Sequence, residues 1–139
     1  MVQQLNAMRV SFEGSILGFE KLNEFELEVI KDTSFLYLKS LEQPDIAFLT
    51  TSPFEWYTDY SLVLDERIKN KLLLEDPEGT LVLCIVTLQD SLDTSTINLV
   101  APLIVNVEKR LGNQHVLQKV GYQAKSPLIV KKDLEEEEV

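Results

Sequence analysis

Cysteine and histidine are each present once, as Cys84 and His115, and this scarcity excludes several kinds of chemistry. A zinc site needs a cluster of such side chains, so we expect neither a metal nor another cofactor. One cysteine allows no internal disulfide. Because Cys84 stands in the most apolar run of the chain, we expect a buried, unreactive thiol. His115 has no nucleophile pattern near it and is expected to be a solvated surface side chain.

Long apolar runs and excess positive charge are also missing. No stretch approaches the ~20 apolar residues of a membrane-spanning helix, and the N-terminus lacks the layout of a signal peptide. We therefore expect a cytoplasmic protein that does not bind membranes. The chain has 13 basic and 23 acidic residues, a net charge of -10 at pH 7. Such acidity repels nucleic-acid phosphates, which argues against direct nucleic-acid binding, and it favours basic partners.

The apolar centre of the chain predicts a pair of long strands. Residues 81–86 are apolar and rich in β-branched side chains, which predicts a strand buried on both faces. Every odd position of residues 97–107 is apolar, which predicts a second strand that forms a central hairpin with the first. Pro102 cannot donate to a strand ladder. It therefore marks a bulge, or a point where the second strand passes to another sheet.

Shorter strand patterns occupy most of the remaining chain. Strands are predicted at residues 23–30, 35–41, 46–51, 61–64 and 114–120, the first of them half-buried with an acidic outer face. Residues 109–113 are predicted to be a turn in which Gly112 supplies positive φ. A short helix is predicted over residues 66–73, with Asp65 as its N-cap and Ile68 and Leu72 facing the core.

These patterns predict one all-β, mainly antiparallel domain over residues 1–130. Its architecture is either a closed pseudobarrel or a two-sheet sandwich, with one short helix. Tyr122 and residues 127–130 are expected to close it. Residues 131–139 carry too many like charges to pack and are predicted to be a disordered acidic tail.

An aromatic segment at residues 52–60 is the strongest candidate for a binding surface. Either its aromatic side chains fill one end of a barrel, as expected of Phe54 and Tyr60, or some stay exposed as anchors, foremost Trp56 and Tyr57. Aromatic anchors inside a charged rim are typical of protein interfaces. The turn after the predicted helix is the expected acidic rim. The predicted protein-binding site therefore comprises Phe54, Trp56, Tyr57, Asp59, Tyr60, Glu75, Asp76 and Glu78.

Two hypotheses can be tested through particular side chains. Replacing Trp56 and Tyr57 together by alanine should weaken partner binding by more than ~2 kcal/mol while the domain stays folded. Asn98 and Asn106 are expected to satisfy backbone groups at bulges or turns rather than to contact a ligand.

The chain is predicted not to be an enzyme. Its 23 acidic residues could include a catalytic carboxylate pair, but with so many of them some are expected to lie close together by chance.

Four stretches of this sequence resemble the FliW family of bacterial flagellar assembly factors. Together they span most of residues 16–128: residues 15–20 (SILGFE), residues 41–48 (LEQPDIAF), Ser52-Pro53-Phe54 with Asp59-Tyr60, and residues 98–106 (NLVAPLIVN) followed by Gly112-Asn113-Gln114. The chain departs from the family pattern at Glu13, Ser15, Thr58 and Asn113, where proline, glycine, proline and lysine are common. The segment before Phe12 is also short, so a first strand would be missing or shifted.

The resemblance implies a β pseudobarrel with no catalytic group that acts by binding proteins. FliW proteins bind flagellin in the cytoplasm, and they bind CsrA (carbon storage regulator), a small dimeric regulator that represses flagellin translation. Scarce flagellin leaves FliW free to capture CsrA, which lifts the repression. This partner switching requires the two complexes to be mutually exclusive or negatively coupled. Two alternatives stay open: a small-ligand-binding β-barrel protein, and a flagellin-specific export chaperone without a translational role.

Overall fold

The fold is seen in a computed structural model that describes residues 2–118 and 121–128. The predicted acidic tail at residues 131–139 lies outside the described residues, as do residues 129–130 of the predicted closing segment. No helix in the described part is both long and apolar enough to cross a bilayer.

Seven strands form a closed barrel. The described strands are β1 Arg9–Ser11, β2 Glu24–Val29, β3 Phe35–Ser40, β4 Ala47–Thr51, β5 Thr80–Thr87, β6 Thr96–Ile97, β7 Leu103–Asn106, β8 Leu111–Gln114 and β9 Ser126–Pro127. The order around the barrel is β4-β3-β2-β1-β8-β7-β5, and pairing of β5 with β4 closes it. The β1–β8 pair is parallel and the other barrel pairs are antiparallel. The prediction of an all-β, mainly antiparallel domain is confirmed, and of its two possible architectures the structure has the closed barrel.

Alternating side chains explain why β2 and β3 form one wall. Phe25, Leu27, Leu36 and Leu38 are buried in the interior, whereas Glu24 is exposed outside. They join Val10, Phe12 and other apolar side chains in the largest core cluster. The expected half-buried strands are therefore present. β1 is present too, so the short N-terminal segment does contain the first strand.

The predicted central hairpin is divided. β6 and β7 pair with the same strand at different positions, Val86 with Ile97 and Val82 with Ile104. Between them the chain turns at Asn98, whose Oδ1 accepts hydrogen bonds from the backbone N–H of Val100 at 3.2 Å and of Ala101 at 3.1 Å. The prediction of a single strand at residues 97–107 is therefore wrong, because this turn interrupts the pairing with β5 before Pro102.

Two short α-helices are present where one was predicted. Helix α2, Glu66–Lys71, confirms the predicted helix, because the Asp65 side chain accepts a hydrogen bond from the Ile68 N–H at 2.9 Å. Ile68 and Leu72 bury themselves on Ile104, on the outer side of β7. Helix α1, Pro53–Trp56, was missed, although proline is well suited to the first turn of a helix. Three 3₁₀ helices are also described: Val2–Leu5, Pro77–Gly79 and Leu92–Thr94.

Five further sequence predictions are wrong. Residues 61–64 form no strand, and the strand expected at residues 114–120 lies earlier, at β8. The turn before β8 takes its positive φ, 60°, at Arg110, whereas Gly112 lies within the strand. The described part of the C-terminal segment, up to residue 128, does not close the barrel, because β9 pairs with β6 while β4 and β5 make the closure. β5 is also only partly buried, since Leu81, Val82 and Ile85 are half-exposed.

Candidate functional site

An apolar groove lies on the outside of the barrel, between α1, α2 and the start of β5. Its volume is about 410 Å³. We call it the acidic groove because two carboxylates, of Glu75 and Asp76, stand among its apolar lining residues. Its lining residues are Phe54, Leu62, Leu64, Lys69, Leu74, Glu75, Asp76, Pro77, Thr80 and Val82.

The floor of the acidic groove is built on the small core under α2. Leu62, Leu64, Leu74 and Val82 pack against the buried cluster of Ile68, Leu72 and Ile104. Each of the four is half-buried, so one side is fixed by the core and the other is open to the groove. Burying such a surface under a partner is favourable, at about 25 cal/mol per Å² of apolar area. The floor is therefore apolar and partly open to a partner.

Phe54 stands at the wall of the groove, and 43% of its surface is exposed. Helix α1 buries Pro53 and turns Phe54 outward, where its ring meets Tyr60 edge-on at 5.7 Å. The expectation that Phe54 fills a barrel end is therefore wrong. Tyr60 is buried, but it packs with Cys84 and Val86 in a second core cluster rather than with the side chains of the barrel interior, and its hydroxyl donates to the Leu99 carbonyl at 2.7 Å.

Trp56 and Tyr57 are half-buried and are held by other parts of the molecule. The indole N–H of Trp56 donates to Thr51 Oγ1 at 3.0 Å, and its ring lies 5.7 Å from that of Phe35. The Tyr57 hydroxyl donates to the Pro127 carbonyl, and burial raises the pKa of Tyr57. Neither aromatic side chain lines the acidic groove as the described residues form it. Asp59 is exposed and also lies outside the lining.

The expected acidic rim is exposed, and part of it lines the groove. Glu75 and Asp76 are lining residues, whereas Glu78 is exposed beside them. The Asp76 side chain accepts from the Glu78 N–H at 3.0 Å and so caps the 3₁₀ helix that leads into β5. Lys69 lines the groove too, with its amine 3.8 Å from the Glu66 carboxylate. Two carboxylates and one amine leave the lining acidic.

A second groove, of about 520 Å³, adjoins the first. We call it the polar groove. It is lined by Ser61, Leu62, Val63, Asp65, Arg67, Asn113, Gln114, His115, Val116, Leu117 and Gln118. Leu62 is common to both grooves. His115 is half-buried in this lining, so it is less exposed than the sequence suggested.

Several groups that could have carried chemistry have structural roles. Cys84 is fully buried, and burial raises the pKa of its thiol from 9.0 to about 12, which confirms the inert thiol. Asn106 Nδ2 donates to the carbonyls of Leu72 at 2.9 Å and Leu73 at 3.1 Å. With the turn made by Asn98, this confirms that both asparagines satisfy the backbone. Among the residues described here, no group of three His, Cys, Asp or Glu side chains could hold a metal ion.

Sequence reasoning missed the four floor residues and found the aromatic and acidic ones. Residues 62 and 64 were predicted to be part of a strand. The only indication in the sequence of a groove here is the charged turn after α2, whose residues form its other side. The structure thus brings Phe54, Glu75 and Asp76 together. It leaves the other five predicted residues outside the groove lining: Trp56, Tyr57, Asp59, Tyr60 and Glu78. Whether these eight residues bind a partner stays a prediction.

Comparisons of the sequence and of the structure with known proteins all point to the same family. The family model described as "FliW protein" matches residues 2–128. The chain is similar to the flagellar assembly factor FliW of Clostridium botulinum strain 657, with 39% identity over 120 residues that cover 86% of this chain and 84% of that protein. It is 36% identical to the FliW of Clostridioides difficile strain 630, over 88% of this chain and 95% of that protein. A crystal structure of the flagellar assembly factor FliW superposes with a TM-score of 0.82 at 32% identity, over 91% of this chain and 89% of that one.

Proposed function

This chain belongs to the FliW family of flagellar assembly factors, and on that premise we propose that it is a non-catalytic, cytoplasmic regulator that binds flagellin and CsrA in turn. When flagellin is scarce, the chain holds CsrA, and repression of flagellin translation is lifted. When flagellin accumulates it occupies the chain, and CsrA is released. The two complexes must therefore be mutually exclusive or negatively coupled.

The observation that carries this proposal is the composition of the acidic groove. An exposed aromatic ring, an apolar floor and two carboxylates are grouped on one surface. Buried aromatic anchors inside a polar rim supply most of the binding energy at protein interfaces. The carboxylates favour a basic partner and disfavour RNA, which suits a protein that removes an RNA-binding regulator without touching the RNA.

Within the predicted site we assign the central contacts to Phe54, Glu75 and Asp76. Trp56, Tyr57, Asp59 and Glu78 are proposed as flanking contacts, because they stand on the segments next to the groove without lining it. Tyr60 supports Phe54 through the edge-on contact of their rings.

The small-ligand alternative is less well supported. It needs polar groups that converge in an internal cavity. Asn98 and Asn106, the expected candidates, use their side chains on the backbone instead. The described interior of the barrel is occupied by apolar side chains such as Phe12, Phe25 and Leu103. We therefore favour protein binding.

The decisive experiment is isothermal titration of the chain with purified CsrA, repeated after saturation with flagellin. We expect binding in the first titration and its loss in the second. Binding to flagellin alone would support the export-chaperone alternative. Binding to neither partner would contradict the proposal.

The electrostatic part of the proposal can be tested with a matched pair of variants. Affinity for CsrA should fall as ionic strength rises, because exposed charges are screened over a Debye length of about 10 Å at 0.1 M salt. Glu75→Gln should weaken binding and reduce this salt dependence. Glu24→Gln is the control, because it removes an exposed carboxylate from β2, on the opposite wall of the barrel. It should reduce the affinity for CsrA and its salt dependence less than Glu75→Gln does. Equal effects of the two variants would contradict a role for the groove.

A further inference from the structure

Basic side chains gather where α2 lies beside the turn between β7 and β8. Arg67 and Lys71 stand four positions apart on α2, which puts them on one face of the helix. Lys109 and Arg110 belong to the turn. Asn106 joins the turn to α2, because its Nδ2 donates to a carbonyl at the end of the helix at 2.9 Å and its Oδ1 accepts from the Lys109 N–H at 3.1 Å. We call this surface the basic face; it comprises Arg67, Lys71, Lys109 and Arg110.

The basic face borders the polar groove. Arg67 and Asn113 are both lining residues of that groove. Lys71 Nζ donates to Asn113 Oδ1 at 2.9 Å, in the amide orientation that satisfies both polar atoms of the asparagine. All four residues of the basic face are exposed, so an acidic segment lying over the groove can meet them together.

Carboxylates on the same two segments, residues 65–71 and 107–110, do not cancel the basic face. Glu66 is paired with Lys69, which lines the acidic groove instead. Asp65 and Glu108 remain, and the four basic residues outnumber them by two. On a chain with a net charge of -10 this surface has the opposite sign to the whole, and it favours an acidic occupant.

The described chain ends close to this surface. Leu128 is fully buried in the same core cluster as Leu117, and Leu117 lines the polar groove. The groove is joined to the C-terminal segment again at Ser61, a lining residue whose N–H donates to the Tyr122 hydroxyl at 2.9 Å. Residues 133–138 begin five positions after Leu128, a reach of about 17 Å at ~3.3 Å per extended residue. The acidic tail therefore starts within reach of the basic face.

We propose that the acidic tail of the same chain docks on the basic face and covers the polar groove. The tail carries five carboxylates, those of Asp133 and of the four glutamates at residues 135–138. Their mutual repulsion keeps them out of an apolar core, whereas a basic surface offsets it. Tethering favours the contact, since a short linker gives an effective concentration on the order of millimolar.

Docking of the tail makes the surface around both grooves acidic. The polar groove shares Leu62 with the acidic groove, so the tail carboxylates lie next to the surface that carries Glu75 and Asp76. A polyanion such as RNA is then repelled from the basic face as well. This inference goes beyond the proposed function, because it concerns the free chain and does not depend on which protein the chain binds.

Zero-length carbodiimide crosslinking of the unaltered chain is the direct test, because the reagent joins a carboxylate to an amine only where the two are in contact. We expect monomeric products that join residues 135–138 to Lys71 or Lys109. Their yield should fall at least about threefold between about 0.1 M and 1 M salt, since the Debye length shrinks from about 10 to about 3 Å. Lys31, exposed in the turn after β2, is the control amine and should give little product.

Three results of this experiment would overturn the inference. They are equal yields at Lys31 and at the basic face, no product between the tail and Lys71 or Lys109, and such products in crosslinked dimers alone. The last result would show that the tail binds a second copy of the chain.

A matched pair of double variants tests the docking from the other side. Arg67→Gln with Lys71→Gln removes two charges from the basic face, whereas Lys21→Gln with Lys31→Gln removes two exposed charges elsewhere. In nuclear magnetic resonance spectra, the first pair should shift the tail amides toward their positions in the unaltered chain at high salt, and the second pair should not. Equal shifts would overturn the inference.

Two features keep this test decisive. If the first double variant does not fold, the crosslinking yields of the unaltered chain decide. No partner is needed in either experiment, so failure of tail docking leaves the proposed function standing. Failure of the chain to bind CsrA and flagellin would in turn leave this inference standing.

Discussion

The Phe12 ring lies against Gly112 so closely that a Cβ atom on that glycine would stand 2.6 Å from Phe12 Cε2. This contact is made beside the parallel pairing of β1 with β8, where Ser11 is the partner of Leu111. Phe12 cannot easily withdraw, because it is 1% exposed and meets Phe25 edge-on at 5.5 Å. The glycine is therefore needed for close packing and not for a turn.

Gly112→Ala should lower the free energy of unfolding by about 1 to 3 kcal/mol, the usual cost of overpacking a core. Chemical denaturation monitored by circular dichroism measures this change. Gly79→Ala is the matched control, because nothing lies within 4 Å of a Cβ atom at that position. Equal destabilisation by the two substitutions would show that the Phe12 contact is not the reason for the glycine.

Asn106→Ala should also lower the free energy of unfolding, because the Asn106 side chain joins the end of α2 to the turn after β7. Its Oδ1 accepts from the N–H groups of Glu108 and Lys109, both at 3.1 Å, and its Nδ2 donates to two carbonyls at the end of α2. Loss of these bonds leaves buried polar groups unsatisfied, so we expect a loss of more than about 2 kcal/mol in denaturation. Asn70→Ala, at an exposed position of α2, should change stability little. An Asn106→Ala variant as stable as Asn70→Ala would contradict this role.

The buried thiol should make the protein less stable at alkaline pH. The pKa of Cys84 is about 12 in the folded chain against an ordinary value of 9.0, because burial disfavours the thiolate. Above pH 9 the unfolded chain loses this proton while the folded chain keeps it, so stability falls as pH rises, by at most about 1.4 kcal/mol per pH unit. Cys84→Ala should have a flatter stability profile between pH 9 and 10 in denaturant titrations. Identical slopes for the two proteins would refute this contribution.

Sequence-based prediction was most accurate where a single pattern of apolar residues ran through a whole strand or helix. Alternation predicted β2 and β3 because each has one face inside the barrel, and the Asp65 cap with Ile68 and Leu72 predicted α2. It failed at residues 97–107, where six alternating apolar positions conceal a turn made by Asn98. Periodicity reports which side a residue faces. It does not report where a ladder stops.

The candidate site was predicted in part for the same reason. Composition identified the aromatic and acidic residues, and exposure of the turn after α2 followed from its charge. Sequence could not show that α1 would turn Phe54 outward while Trp56 and Tyr57 found hydrogen-bond acceptors in Thr51 and Pro127. Pro127 is 70 residues away from Tyr57 in sequence, and Thr51 lies across the start of α1 from Trp56, so neither contact follows from the periodicity of one segment.

These contacts change what alanine substitutions in the aromatic segment should do. Phe54 is exposed in the acidic groove, so Phe54→Ala should weaken CsrA or flagellin binding by more than about 1 kcal/mol with little loss of stability. Trp56→Ala with Tyr57→Ala should weaken binding by more than about 2 kcal/mol if both side chains are contacts, but it should also lower the melting temperature, because both support the fold. Titration beside thermal denaturation distinguishes the two effects.

Tyr37→Ala provides the control for Phe54→Ala. Tyr37 is an aromatic residue of comparable exposure, 37% against 43%, and it stands on β3 outside the groove. Its removal should leave both affinity and stability nearly unchanged. If Phe54→Ala binds both partners as tightly as Tyr37→Ala does, the acidic groove is not the partner-binding surface. If the Trp56 and Tyr57 variant then loses affinity at full stability, the partner-binding surface is centred on Trp56 and Tyr57, the anchors that the sequence favoured.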